Sequence, residues 1–256
     1  MRSIPEIIHY VWLSEEEKPK SISRCLKTWD VLRRNGFLVK QWTANDFDFD
    51  TLPAFVQEAY NLKKWAFVTD YLRLKILYEN GGVYLDSDII IKKDISAFMK
   101  CNYFTFIEYH KQAFEPFKNL VGEGGIWLTE EHIPGFCLQA AFIGAKKGCQ
   151  YVKDCLDWYE NRHFIEAGKL FQDIIAPDIY AICARKYGFR YKDELQLLDD
   201  GIVIYPSCYC AGSLKEADRR NYAIHCCNGS WREWNRIKRV LRNVRLFCYQ
   251  IVQRRG

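Results

Sequence analysis

Residues 66–88, AFVTDYLRLKILYENGGVYLDSD, force the chain to turn back on itself. Ala66, Asp70, Arg73, Leu74 and Leu77 recur at helical intervals, and Asn80-Gly81-Gly82 are residue types that accept the left-handed dihedrals ending a helix. The apolar VYL that follows predicts a strand. From Asp70 to Glu79 the helix descends roughly 14 Å at about 1.5 Å per residue. From Gly82 to Asp86 the strand climbs back roughly 13 Å at about 3.3 Å per residue. Asp70 and Arg73 are therefore expected at the level of Asp86.

Asp86 and Asp88 close this run. At the end of an extended strand, side chains at i and i+2 project to one side, so the two carboxylates are expected to converge while Ser87 points away. Two hard oxygen donors at that spacing suit Mg2+ or Mn2+, ions that complete their shells with water and phosphate oxygens. Asp70 and Arg73, three apart on one helix face, present an acid and a planar cationic fork beside the clamp. Arg73 can pair with phosphate or with Asp88, and Asp70 can accept from sugar or ribose hydroxyls. The plain alternative is a solvated Asp-X-Asp turn and a surface ion pair worth under about 1 kcal/mol.

Around this unit the pattern alternates: strand at 4–12, helix at 21–34, strand at 37–42, helix at 52–59. Such alternation predicts an α/β fold with a single open mixed sheet flanked by helices, its ligands gathered at the carboxyl ends of strands. Trp12 and Asp88 stand at two such ends. With 256 residues, 49% of them hydrophobic, the chain is long and apolar enough for one sizeable core. Residues 101–135 lack clear periodicity and are expected to form an acceptor loop or lid. Gly122, Gly124 and Gly125 within it have no Walker lysine after them, which favours a flexible turn over a phosphate loop.

Three runs, IPEIIHYVWLS at 4–14, the helix-turn-strand unit at 66–88 and AIHCCNGSW at 223–231, together resemble the glycosyltransferases that carry a sugar-binding DXD motif. That group includes capsule and lipopolysaccharide transferases, a yeast initiating alpha-1,6-mannosyltransferase and, more distantly, clostridial toxin glucosyltransferase domains. The resemblance implies a GT-A type nucleotide-sugar-binding fold over 1–231. It implies that Trp12 stacks on the base, that Asp70 and Arg73 bind donor sugar and ribose, and that Asp88 ligates the metal. Asp86 would contact metal, its water, ribose or sugar, and His225, Ser230 and Trp231 would close over the diphosphate, with His225 an extra metal ligand. Gln139, in QAAFIGAKKG, falls where the family lines its sugar pocket. The donor implied is a nucleotide diphosphate sugar, a UDP-hexose before GDP-mannose, and the acceptor a glycan or lipid-linked saccharide. Retention of anomeric configuration is implied as well. Without the resemblance, Trp12 reads more readily as core and His225 as structural, while Gln139 reads equally as a helix-surface amide. His9 reads as a strand-face residue. Cys226-Cys227 depart from the family pattern and are open to packing or to softer metal preference.

Eleven cysteines at irregular spacing form neither a zinc framework nor a disulfide pattern, so reduced thiols and a cytoplasmic location are expected. Residues 1–13 lead straight into a strand without a secretory h-region pattern, and no apolar run of 18 residues occurs in the sequence, so no leader or membrane span is expected. The net charge of +5 is unevenly placed: 232–256 carry eight Arg or Lys against Glu233, leaving −2 for the remainder. Ile237, Val240, Leu241, Val244, Phe247, Cys248 and Ile251 follow helical spacing, which predicts a basic amphipathic C-terminal helix. Three readings compete for 236–256: an anionic membrane surface, favoured here and placing the protein on the inner face of the membrane; packing on the domain; or nucleic acid, for which no reader motif is present.

Two other function classes compete. VYLDSDII also matches the nucleophile strand of haloacid-dehalogenase-type phosphatases, with Asp86 as nucleophile and Asp199-Asp200 as a later acidic motif. A non-catalytic sugar-nucleotide or glycan-binding module is the other, and the full set of Asp70, Arg73, Asp86 and Asp88 argues against it.

Overall fold

The computed structural model describes residues 3–166, 168–171 and 174–226. Ser230, Trp231, Cys227 and the basic 232–256 segment lie outside them. Thirteen strands occur among the described residues: β1 (Ile7–Val11), β2 (Leu38–Trp42), β3 (Gly82–Leu85), β4 (Ile89–Ile91), β5 (Tyr103–Tyr109), β6 (Phe136–Leu138), β7 (Phe142–Ala145), β8 (Ile165–Glu166), β9 (Lys169–Leu170), β10 (Gln196–Leu197), β11 (Ile202–Tyr205), β12 (Cys210–Ala211) and β13 (Ala223–His225). The main sheet runs β10-β11-β5-β7-β3-β1-β2, with β6 added to β5. β1 pairs in parallel with β2 and β3, β11 in parallel with β5, and β7 antiparallel with both β3 and β5. Thus β1, β2, β3, β5 and β11 all point one way in a mixed sheet, the expected α/β architecture.

Helices cover both faces. α3 (Ala54–Asn61), α4 (Trp65–Asn80), α6 (Gln150–Glu160) and α7 (Ala176–Ala184) share one core, in which Phe55, Val68, Leu72, Val152 and Ile179 are buried. α1 (Lys20–Thr28) and α2 (Asp30–Arg34) cover the opposite core through Trp29 and Leu32, and α5 (Lys111–Phe114) is a single short turn. Every residue of β3 and β7 is buried, the pattern of strands covered on both sides. Removing each large aliphatic side chain from water contributes about 1.5–3 kcal/mol.

The turn from α4 into β3 forms as the residue types require. Gly81 and Gly82 have φ of 68° and 107°. A β-carbon on Gly81 would lie 2.7 Å from the Lys147 backbone nitrogen, and one on Gly82 would lie 2.6 Å from the Ile7 carbonyl oxygen. Neither position admits a side chain.

Two expectations are corrected. The single helix at 21–34 is two, α1 and α2, because the chain bends at Trp29, whose fully buried indole points into the core. Residues 101–135 are not all loop, since β5 occupies the centre of the sheet. Its residues Tyr103 to Ile107 are all buried, so both faces are apolar and no period of two survives to be read. The glycine segment forms a turn, with Gly124 and Gly125 at φ 69° and 77°.

Candidate active site

The two aspartates sit in a turn and not on a strand end as expected. β3 stops at Leu85, the Asp86 N–H donates to the Ala141 carbonyl (2.8 Å), and the Ile89 N–H donates back to the Asp86 carbonyl (3.0 Å). That tight return carries the chain from β3 into β4. Convergence survives because a third residue arrives from far away in sequence. β13 pairs antiparallel with β4, placing His225 opposite Ile89, and the Cys226 N–H donates to the Asp88 carbonyl (3.1 Å). His225 Nε2 lies 3.4 Å from Asp88 Oδ1 and 4.0 Å from Asp86 Oδ2. One ligand atom from each of the three residues lies within 4.8 Å of the others.

α4 supplies the wall behind this cluster. Arg73, 5% exposed, places Nη2 2.9 Å from Asp70 Oδ1 and 3.5 Å from Asp86 Oδ1. The predicted return of Asp70 and Arg73 to the level of Asp86 is therefore observed, and the Arg73 carboxylate partners are Asp70 and Asp86, not Asp88. Arg73 also donates Nε–H to the Thr69 carbonyl (3.1 Å) and stands 5.1 Å from the Tyr84 ring centre. Burial opposes the Arg73 charge, but Asp86 and Asp70 outweigh it and raise its pKa well above the ordinary value. Burial pushes the Asp70 carboxyl up to about 7; Arg73 pulls the other way and Asp86 adds to the rise. This is a buried ion pair bridging to the turn, where breaking one partner is far more costly than at a surface.

The clamp has a scaffold that periodicity did not reveal. Trp29 Nε1–H donates to the Ile89 carbonyl (2.9 Å), and the Thr28 hydroxyl accepts from the Ile91 N–H (2.9 Å), so the end of α1 holds β4 directly after Asp88. Both residues fall within the helix expected at 21–34, and the one signal that singles out Trp29 is that an indole N–H in an apolar core needs an acceptor. His9 is a strand-face residue, as expected, and buried. Its Nε2 contacts the Gly81 carbonyl (2.9 Å) and its Nδ1 faces the Trp42 indole N–H (3.1 Å), a pattern that only the neutral Nε2–H tautomer satisfies. Burial, the largest influence, lowers its pKa to about 4.

The remaining sequence-derived residues divide. Trp12 directly follows β1, and because His9 pairs with Tyr84 in parallel register, Trp12 and Asp86 emerge at the same sheet edge. The Trp12 ring is partly exposed, with Lys18 Nζ 5.4 Å from its centre. Gln139 is not a helix-surface amide. It lies in the loop from β6 to β7, 2% exposed, and its Oε1 accepts from the Ala141 N–H (3.0 Å). Since Ala141 also accepts from Asp86, Gln139 borders the clamp. Cys226 packs with Cys25, Ile90, Ala211 and Ile224, and the cluster of potential metal ligands among the described residues contains no sulfur. Asp199 and Asp200 precede β11, and the Asp200 carbonyl accepts from Asn102 just before β5. They stand at the amino edge of the sheet, opposite Asp86, which removes the geometric basis for a haloacid-dehalogenase site.

Asp86, Asp88 and His225 offer two carboxylate oxygens and an imidazole nitrogen, a donor set that suits Mn2+ and admits Mg2+. Asp70 and Asp86 face the Arg73 guanidinium while Asp88 faces His225, and a divalent cation would offset the negative charge of the aspartates. A partly exposed indole, a buried arginine and this cluster line one edge.

A 30% identical stretch of 129 residues, 45% of this chain and 48% of the relative, matches an uncharacterized glycosyltransferase of Acanthamoeba polyphaga mimivirus. Inositol phosphoceramide mannosyltransferase 1 of Schizosaccharomyces pombe is 30% identical over 109 residues, 39% of this chain and 32% of that protein. The matches thus span half or less of the length of these curated relatives. Among solved structures, the PaToxG glycosyltransferase aligns with a TM-score of 0.44 and 13% identity, over 72% of this chain and 68% of its own. The model of the family described as capsular polysaccharide synthesis protein matches residues 2–185, which hold β1, α4 and the Asp86–Asp88 turn, and by that match the chain belongs to this family.

Proposed function

We propose that this protein is a metal-dependent glycosyltransferase of GT-A type that moves a hexose from a nucleotide diphosphate sugar to a hydroxyl of a glycan or lipid-linked acceptor, with retention, in the synthesis of a surface polysaccharide. The observation that carries the proposal is the Asp86–Asp88–His225 cluster backed by the buried Arg73. The glycosyltransferase names of the relatives support it.

Asp86, Asp88 and His225 would hold Mn2+ or Mg2+. When bound, the ion supplies Lewis-acid neutralisation of the departing diphosphate. Arg73, fixed between Asp70 and Asp86, presents permanent positive charge at the same edge and needs no reorganisation as negative charge develops. Trp12 offers an aromatic face to the base. Asp70 accepts hydroxyl hydrogen bonds and Gln139 borders the transferred sugar. Ser230 and Trp231 are proposed to close over the diphosphate, and the basic 236–256 segment to rest on an anionic membrane. Deleting 236–256 should release the protein from anionic liposomes, and unchanged co-sedimentation would refute that part.

A thermal-shift screen of UDP- and GDP-hexoses, each with Mn2+ and with chelator, tests the central reading. One donor should stabilise the protein only with metal. Equal stabilisation in chelator, or none from any donor, overturns it.

A further inference from the structure

A cavity of about 330 Å³ opens beside the clamp, lined by the end of β5, by Gln139 and by residues of the 207–221 segment. Both of its walls are tied to the Asp86–Asp88–His225 cluster. Gln139 leads into Ala141, which accepts the Asp86 N–H. On the other side β12 runs parallel to β13 with Ala211 beside Ile224, and the next residues along the two strands are Gly212, which lines the cavity, and His225. Whatever occupies the cavity is next to the proposed reacting centre.

Its polar groups divide into those satisfied internally and those turned to the space. Glu216 is consumed by the Gly212 N–H (3.1 Å) and the Ser213 hydroxyl (3.1 Å), and Asp218 by Arg220, through Nε (2.9 Å) and Nη2 (2.6 Å). Glu108 is different. Its Oε1 lies 3.0 Å from His110 Nε2, and among the described residues no hydrogen bond reaches its Oε2. Gln139 has its Oε1 committed to Ala141, while its Nε2 donates to no described residue, although the side chain is almost wholly buried. That nitrogen is not sealed from solvent, and Gln139 lines the cavity, so an acceptor in the cavity can take its hydrogen bond. Glu108 pairs with Cys137 and Gln139 N–H bonds to Phe106 across the β5–β6 ladder, so Glu108 and Gln139 are diagonal neighbours, about 7–8 Å apart. One open acceptor and one open donor at that spacing complement hydroxyls around a pyranose ring. The cavity is itself lined by Glu108, Glu216 and Asp218 against Arg220, which Asp218 already pairs, and this acidic excess disfavours an anionic occupant.

We propose that this cavity is the acceptor subsite and takes an uncharged hexose unit of a saccharide, with Glu108, positioned by His110, accepting from its hydroxyls and Gln139 donating to them. The proposal rests on the transferase reading of the adjoining cluster. Saturation-transfer NMR on the full chain, with Mg2+ and UDP or GDP present, would use aryl hexosides against the corresponding aryl glucuronide and hexose 6-phosphate. Nucleotide binding, followed in the same samples, reports on the transferase reading separately. At least one neutral hexoside should show saturation and the anionic probes little or none. Glu108→Gln should weaken the hexoside at least fivefold and leave nucleotide binding within twofold. Replacing Mg2+ by Mn2+ should broaden the bound hexoside in the wild-type protein, a readout independent of any variant's folding. Equal saturation by the glucuronide, no saturation by any hexoside, an unchanged Glu108→Gln, or no Mn2+ broadening each overturns the subsite while nucleotide binding stands.

Discussion

The two halves of the site are built in opposite ways. Asp70, Arg73, Asp86 and Asp88 lie within 19 consecutive residues and reach one another through a helix, a glycine turn and a strand. His225 and Gln139 are brought in by strand pairing and a loop from distant parts of the chain. The local half is set largely by the fixed rises of helix and strand and by the Gly81-Gly82 turn between them. The distant half depends on β13 finding β4 in the right register, and a shift of one residue would turn His225 away from the aspartates. The first half therefore specifies charge, and the second adds the imidazole that gives the aspartates a third potential ligand.

The largest expected effect breaks the local half. Asp88→Asn should lower metal-dependent transfer by ~10³-fold with the fold intact, since a charged donor is replaced by a neutral isostere. Asp86→Asn should also impair transfer strongly. Steady-state turnover with saturating Mn2+ measures both, and near wild-type turnover in Asp88→Asn would remove the aspartate clamp from the mechanism.

Next is the scaffold beneath the turn. His9 has a native pKa of about 4 against 6.5 unfolded, so below pH 6.5 the unfolded chain takes up a proton that native His9 refuses. Its contribution to stability is present above pH 6.5 and lost as pH falls towards 4, by up to about 3 kcal/mol at about 1.36 kcal/mol per unit. Asp70 acts in the opposite sense, because its native pKa is raised and its burial penalty is relieved as pH falls below 7. Urea unfolding at pH 7.5 and 4.5 should thus show a steeper acid loss in Asp70→Asn than in wild type. An equal loss in the two would contradict the assignment.

A smaller effect is expected in the distant half. His225→Gln should weaken Mn2+ binding by about 10–100-fold while the aspartates retain some affinity. Titration calorimetry with Mn2+ checks this, and an unchanged affinity would make His225 structural. Smallest is Arg73→Lys, which keeps the charge but loses the planar fork between Asp70 and Asp86, and should weaken donor binding by roughly tenfold. Donor affinity within twofold of wild type would mean that charge alone suffices there.

How legible each part was follows from how it is built. The α4 turn and strand could be read because Asn80-Gly81-Gly82 admit few conformations and because helix rise and strand rise are fixed lengths. Asp86 was placed at a strand end, but the Ala141 and Ile89 hydrogen bonds that make it a turn belong to other elements. β5 was hidden because its neighbours cover both faces and erase alternation. Trp29 looked like one more helix residue, though its N–H holds the carbonyl that follows Asp88.

What the sequence determined by itself was the local return of α4 against β3 and the charges it carries, since backbone dihedrals and residue spacing suffice for both. Tertiary structure alone decided that Arg73 binds Asp86, that Glu108 and Gln139 share a cavity, and that His225 completes the cluster. Those contacts join residues whose separation along the chain carries no distance information until the sheet is assembled.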